Sequence, residues 1–225
     1  MLSVVIPTLD VASRLAASVA SLDGHADEIV VADGGSTDGT VALARSLGAR
    51  VVAAPRGRGA QLAAGVAAAA GDWLLLLHAD TVLAPGWANA ARASMAAHPA
   101  RARYFRFALA SGDPRARRLE RLVGWRCRLL ALPYGDQGLL LSRALLDDVG
   151  GVRPLPLMED VDLVRRLGRH RLMALDIAAV TSPSRWERQG WHRRSARNLC
   201  CLALYSCGVP PHVLVRLYAG RDAAM

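Results

Sequence analysis

Apolar residues fall into short runs separated by turn-forming residues. "LSVVIPTL" (2–9), "EIVVAD" (28–33), "ARVVAAP" (49–55) and "WLLLLHAD" (73–80) have strand length and composition. Between them, residues 11–22, 37–47 and 60–70 space their apolar positions as a helix does. A fourth helix is expected over 85–97, with Pro85 in its first turn. Strand and helix alternate four times, which predicts an α/β fold: a mostly parallel central sheet with helices on both faces. The unbroken run Trp73 to Leu77 reads as a central strand buried on both sides.

The second half is less regular. "YFRFAL" (104–109), "GLLLSR" (138–143) and "RLMALD" (171–176) read as strands. Residues 114–130, 143–149 and 157–168 read as helices. From residue 187 the chain reads as helix, broken at Gly208 and Pro210, then a short helix. No repeat or linker interrupts it. The expectation is one domain over 1–225: a first half (1–100), a second half (101–180) and a C-terminal helical extension (181–225).

Apolar content of 52% supports a packed core. The net charge is +9, and all 28 basic residues are Arg. Such a surface suits nucleic acid, anionic membrane or phosphate-bearing small molecules. With aromatic residues at 5% and no nucleic-acid-binding pattern, nucleic acid is not expected as a partner. Cys127, Cys200, Cys201 and Cys207 form no CxxC pair and read as small residues of a reducing compartment. Pro7 and Asp10 interrupt the first apolar run, so it does not read as a signal peptide. No stretch reaches the ~18 apolar residues of a membrane span. The expected location is cytoplasmic, with the Arg-rich segments 101–128 and 185–197 able to rest on the inner face of the cell membrane.

In parallel sheets, ligands bind at the carboxyl ends of strands. The first strand ends in Pro7 and Thr8, followed by Asp10; the second ends in Asp33, followed by Gly34 and Gly35. Asp33 can accept hydrogen bonds from a nucleotide base, and Asp38 suits a helix cap. After the third strand, Arg58 and Gly59 open a helix, a combination suited to phosphate. The fourth run ends in His78, Ala79 and Asp80. A carboxylate there can hold Mg²⁺ or Mn²⁺ against a diphosphate, and strand alternation puts His78 on the same face. Asp33, Arg58 and Asp80 each follow a different strand and share one sheet edge. Each also has a purely structural reading as a turn or cap residue.

On "VVIPTLD", "IVVADGGSTDGT", "GRGAQLAAG" and "DWLLLLHADTVL", followed by "GDQGLLLSRALLDDVGG" and "LMEDVDLVRRL", the chain resembles glycosyltransferase family 2, which has the GT-A fold. The resemblance covers roughly residues 2–180. It is closer to a small bacterial branch with "YGDQG", "PLMEDV" and "RWERQG". It implies a nucleotide-diphosphate sugar as donor, a divalent cation, and inverting transfer to an acceptor hydroxyl or phosphate. Asp33 would contact the base. Pro7, Thr8, Asp10, Gly34, Arg58, Gly59, His78 and Ala79 would surround the donor. Asp80 would match the last acid of the DxD-type metal motif, with His78 in place of the first. Asp160 would be the general base, with Glu159 beside it.

Leu9 stands where many relatives place a base-contacting residue, so the resemblance does not fix uridine. "SPSRW" (182–186) keeps only Arg and Trp of the QxxRW motif of processive relatives. Asp136, Gln137, Arg185 and Trp186 are candidate acceptor contacts, and the acceptor is expected to be a sugar, a lipid-linked molecule or another phosphate-bearing molecule. In the basic helix over 114–130, Arg117, Arg121 and Arg128 fall roughly on one face. A nucleotidyltransferase of similar fold would carry a GxGTRxxP-like loop where this chain has "PTLDVASR". A non-catalytic nucleotide-sugar or membrane-surface binding protein is the other reading.

Overall fold

The central strands bury both of their faces, and their side chains sort into two apolar layers. The computed structural model describes residues 1 to 219; the remainder of the expected 181–225 extension lies outside the described residues. Strands β1 (Leu2–Thr8), β2 (Glu28–Asp33), β3 (Arg50–Ala53) and β4 (Trp73–Leu76) lie in the order β3-β2-β1-β4, all parallel. Leu74 and Leu76 of β4 join one layer, and Leu75 joins the other together with Leu77, just past the strand. This is the period-2 alternation of a strand with no wet face. Each fully buried Leu contributes about 1.5–3 kcal/mol relative to exposure, so a slip of one residue in register is strongly disfavoured.

Helices α1 (Ala12–Ala20), α2 (Thr40–Ser46) and α4 (Trp87–Ala97) cover one layer through Leu15, Val19, Ala44, Trp87 and Ala91. The other layer is closed by α3 (Arg58–Ala68), α7 (Glu159–Leu167), α9 (Trp191–Ser206) and α10 (Pro211–Ala219), through Leu62, Val161, Val164, Cys201 and Leu214.

The parallel order ends at β4. Its other neighbour, β7 (Leu139–Ser142), is antiparallel, and the sheet continues β6 (Ala102–Leu109), β8 (Leu172–Thr181), β5 (Thr81–Leu83). The β6–β7 and β8–β5 pairs are antiparallel, and β6–β8 is parallel with a bulge at Phe105/Arg106. The expected parallel sheet is therefore the first half of a mixed eight-stranded sheet. The basic helix α5 (Pro114–Leu130) matches its expected bounds; Asp113 caps it by accepting from the Arg115 N–H. Short helix α6 (Arg143–Asp148) follows β7, and α8 (Ser184–Gln189) precedes α9 across Gly190.

Local chemistry moves several boundaries. The run 73–80 does not continue as strand: the Thr81 N–H bonds the His78 carbonyl at 3.1 Å, closing a turn, and β5 begins. His78 and Asp80 are thus related by a turn and not by strand alternation. The helix expected from residue 37 begins at Thr40, because Asp38 accepts from the Ala12 and Thr40 N–H groups, each at 3.0 Å. Pro85 lies ahead of α4, since Gly86 at φ 84° adopts the left-handed conformation that suits glycine. The strand expected to end at 176 runs on to Thr181.

Candidate active site

Thr8 and Asp33 end adjacent strands in register. The Thr8 hydroxyl donates to Asp33 Oδ1 at 2.9 Å, and the Ser36 hydroxyl donates to the same oxygen. The N–H groups of Gly35 and Ser36 donate to Oδ2 at 2.9 and 2.8 Å. Burial works against the Asp33 charge, but the bonds from Ser36, Thr8 and Gly35 outweigh it and hold its pKa below the ordinary carboxylate value. Asp33 shapes the loop, and its acceptor positions are engaged, so a base would have to replace one of these donors. Asp10 clips the same loop from outside, accepting from the Thr37 N–H at 2.8 Å. It is exposed and does not line the cleft described next.

Gln61, which sequence reasoning did not single out, joins the two strand ends: its buried Nε2 donates to the Thr8 and Ala32 carbonyls. A Cβ on Gly34 would lie 2.9 Å from that nitrogen, so glycine is needed there for close packing. Pro7, Thr8, Arg56, Arg58, His78, Ala79 and Asp80 line a cleft of about 370 Å³ above these strand ends. Through Arg58, His78, Asp80, Arg185 and Tyr218 this cleft continues into a second chamber of about 100 Å³. The second chamber is also lined by Tyr134, Asp136, Asp160, Trp186, Arg194 and Asn198.

Met158, at φ 64° in the left-handed region, caps α7 and sets the direction in which Glu159 and Asp160 leave the backbone. Asp160 faces the second chamber. Its Oδ2 accepts from the Gly135 N–H and its Oδ1 from the Val161 N–H, both at 2.7 Å. Glu159 turns inward, is 1% exposed, and lies 3.1 Å from Arg58 Nε. Burial raises its pKa, opposed by Arg58 and reinforced by Asp160. For Arg58, burial is outweighed by Glu159 and its other anionic neighbours, and its pKa rises. Glu159 is thus the counter-ion of Arg58 and lines neither chamber, so a shared catalytic role with Asp160 does not fit its position. Arg58 reaches both chambers as a guanidinium already paired with a carboxylate.

Two further expectations need correcting. A Cβ on Gly59 would fall 2.3 Å from the Leu155 carbonyl oxygen and 2.8 Å from that of Arg153. The glycine lets α3 meet this segment backbone to backbone, while Arg56, Gly57 and Arg58 before it line the cleft. Gln137 is 2% exposed and does not reach the second chamber. Its Nε2 donates to the Phe105 carbonyl at 2.9 Å, and its Oε1 accepts from Arg126, Cys127 and the Tyr134 N–H. Its neighbour Asp136 does line the chamber. Burial is the main cause raising the Asp136 pKa to about 6, with Arg126 opposing and Asp160 adding.

His78 lines both chambers, with Nε2 enclosed and without a partner. Burial first, then Arg58 and Arg185, push its pKa well below the usual value, so the imidazole is neutral. Gly135 packs directly on it: a Cβ there would sit 2.5 Å from His78 Nε2. Asp80 is partly exposed where the chambers meet, 3.8 Å from Arg14 Nη1. Among the described residues no three His, Cys, Asp or Glu side chains converge as a metal cage. A lone half-exposed carboxylate still fits Mg²⁺ or Mn²⁺, ions commonly held by one or two carboxylates together with substrate phosphate and water. Arg185 and Trp186 line the second chamber. Arg194, Asn198, Tyr134 and Tyr218 were missed. The only signal for Arg194 is its membership of an Arg-rich run, which does not separate it from its neighbours.

Known proteins bear directly on this arrangement. Over 83 residues the chain is 37% identical to an uncharacterized glycosyltransferase of Rickettsia felis and 39% to one of Rickettsia bellii. Each match covers 36% of this chain, and 29% and 28% of those relatives, so the shared region spans under a third of their length. Among solved structures, glucosyl-3-phosphoglycerate synthase from Mycobacterium tuberculosis, in complex with Mn²⁺, UDP and glucosyl-3-phosphoglycerate, is 24% identical with a TM-score of 0.59, over 93% of this chain and 81% of that one. TarS 1–349 of S. aureus is 16% identical with a TM-score of 0.63, over 97% and 69%. These structures establish the fold as that of the GT-A glycosyltransferases. A model of the family described as glycosyl transferase family 2 matches residues 3–154, well over half of the sequence, and the chain belongs to that family.

Proposed function

We propose that this chain is a single, metal-dependent inverting glycosyltransferase unit that moves a sugar from a nucleotide-diphosphate donor to an acceptor hydroxyl or phosphate. One observation carries the reading: Asp80 and Asp160, from different parts of the chain, line one continuous cleft at the carboxyl edge of the parallel strands. The larger chamber takes the nucleotide, bounded by Pro7, Thr8 and the loop that Asp33 organises. Asp80 holds a divalent cation against the diphosphate; bound there, the ion supplies charge neutralisation for the leaving group. Arg58, kept charged by Glu159, adds a fixed positive field. Asp160, oriented by the Gly135 N–H, takes the proton from the acceptor hydroxyl. The freed oxygen bonds to the anomeric carbon as the bond to the diphosphate breaks, with no covalent enzyme intermediate.

Structures of the mycobacterial glucosyl-3-phosphoglycerate synthase support the donor: one holds Mn²⁺ and UDP-glucose, another Mg²⁺ and UDP. The test is a thermal-shift panel of nucleotide sugars with and without Mn²⁺. Metal-dependent stabilisation by a donor is expected, and indifference to every nucleoside diphosphate would refute the reading.

No helix among the described residues is long and apolar enough to cross a membrane. Contact with an anionic membrane surface is part of the proposal, because α5 exposes Leu122 and Trp125 at 65% and 63% beside Arg118, Arg121 and Arg128. Arg117 is not part of that face, since it is tied to Glu120 and to the Leu109 and Ser111 carbonyls. Sedimentation with anionic liposomes at low salt tests this, and a protein left in the supernatant would end it.

A further inference from the structure

Arg194 is a buried cation with no counter-ion among the described residues. It lies in the first turn of α9, is 4% exposed, and forms no ion pair with any described residue. Its Nη1 donates to Gln189 Oε1 at 3.3 Å and to the Tyr218 carbonyl at 3.4 Å, its guanidinium stacks on the Tyr218 ring at 4.2 Å, and its Nε has no partner. Burial lowers its pKa; Tyr218 opposes this, and Arg185 and Arg197 add to it. Enclosing a guanidinium in this way is costly unless an anion answers it.

Two more donors share the acceptor chamber. Among the described residues, Trp186 Nε1 is buried without a partner and Arg185 reaches only the Tyr218 hydroxyl, at 3.4 Å. The same chamber holds two buried acceptors that lack donors, Asp136 Oδ1 and Asn198 Oδ1. Buried polar atoms are rarely left unpaired, and a cluster of them around one cavity marks groups that a ligand supplies. Arg194 and Trp186 line this chamber and not the donor cleft, so the missing anion belongs to the acceptor side.

We infer that Arg194, Arg185 and Trp186 Nε1 form a subsite for an oxyanion on the acceptor, a phosphate monoester, while Asp136 and Asn198 receive hydroxyl hydrogens of the same molecule. This deepens the transferase reading and rests on it. A tetrahedral phosphate offers several acceptor oxygens and the charge that two guanidiniums answer. The C-terminal helices then select the acceptor, and the parallel half of the sheet selects the donor.

The test is calorimetric titration of the full chain with glycerol 3-phosphate, and with glycerol as the uncharged control. Each titration is run with and without UDP and Mn²⁺. Glycerol 3-phosphate should bind and glycerol should not. Arg194→Gln should weaken the phosphate compound by about tenfold or more while leaving the response to UDP and Mn²⁺ unchanged. Arg185→Gln, at an exposed position bordering both chambers, should also weaken the phosphate compound and serves if the buried variant misfolds. Because the Arg194 charge lacks a counter-ion, Arg194→Met should unfold no earlier than the parent protein.

Equal binding of glycerol 3-phosphate by the parent and both glutamine variants would overturn the inference. So would loss of UDP and phosphate binding together in a folded Arg194→Gln variant, which would give that guanidinium to the donor. Failure of the parent to respond to UDP, with selective phosphate binding intact, counts against the donor reading and not against the subsite. A short-chain phosphatidic acid separates sources: affinity equal to glycerol 3-phosphate assigns a free phosphate monoester, and tighter binding assigns a lipid-borne one.

Discussion

Gly135 sits where the backbone, a buried imidazole and the proposed base meet, and Gly135→Ala should damage all three. Its N–H holds Asp160 Oδ2 at 2.7 Å. A Cβ on it would be 2.5 Å from His78 Nε2, 3.1 Å from His78 Cε1 and 3.4 Å from Asp160 Oδ2. Bringing the first of these out to an ordinary contact of 3.4 Å requires a relative shift of roughly 0.9 Å. Gly135 is anchored to α7 by its bond to Asp160, so relief must come from displacing His78 toward the chambers or Gly135 away from Asp160. Overpacking of this kind costs about 1–3 kcal/mol, which for a chain of this size lowers Tm by roughly 2–12 °C. A displacement of that order at Asp160 should slow transfer by about 10²-fold. The assay is thermal unfolding of the Gly135→Ala, His78→Ala and double variants, read as a double-mutant cycle. Removing the imidazole removes the clash, so the alanine at 135 should cost far less stability in the His78→Ala background. If Gly135→Ala matches the parent in Tm, or if its cost is the same with and without the imidazole, the steric reasoning is wrong.

Glu159→Gln leaves Arg58, partly exposed in the cleft, without its counter-ion and should cost about 1–3 kcal/mol in chemical denaturation; Glu159→Gln combined with Arg58→Met should recover much of that. Asp136 has a folded-state pKa raised to about 6 from 3.8, so its charge opposes folding above about pH 6, and this penalty fades as pH falls toward 4. Asp136→Asn should therefore be more stable than the parent at pH 8 and indistinguishable from it near pH 4, as followed by Tm against pH.

The parallel half of the fold was legible because its strands are buried on both faces. Leu74 to Leu77 can be continuous only if helices cover each side, and the helical spacing of Leu15, Val19 and Leu62 supplied that cover. The antiparallel half was less so: β5 is only Thr81–Leu83 and acquires its identity by pairing with β8, a contact across a hundred residues. At the site, Asp80 was singled out from its place at a strand end and Asp160 only through family resemblance. A first-turn acid on a helix is otherwise explained by the helix dipole. The division of labour between Glu159 and Asp160 was not legible. It depends on the left-handed Met158 and on Arg58 waiting behind it, neither of which leaves a periodic trace. Gly59 and Gly135 were hidden for a related reason: a glycine needed for close approach looks like any other until its neighbour is known.

Asp160→Asn tests the account most directly. The amide keeps the shape of the side chain, though its single oxygen can accept from only one of the Gly135 and Val161 N–H groups, and it cannot take a proton from the acceptor. With the donor and metal identified by thermal shift, sugar transfer should fall by about 10²–10⁴-fold while donor affinity in the presence of Mn²⁺ stays at the parent value. Transfer retained at the parent rate would remove Asp160 as the base and contradict the mechanism at its centre.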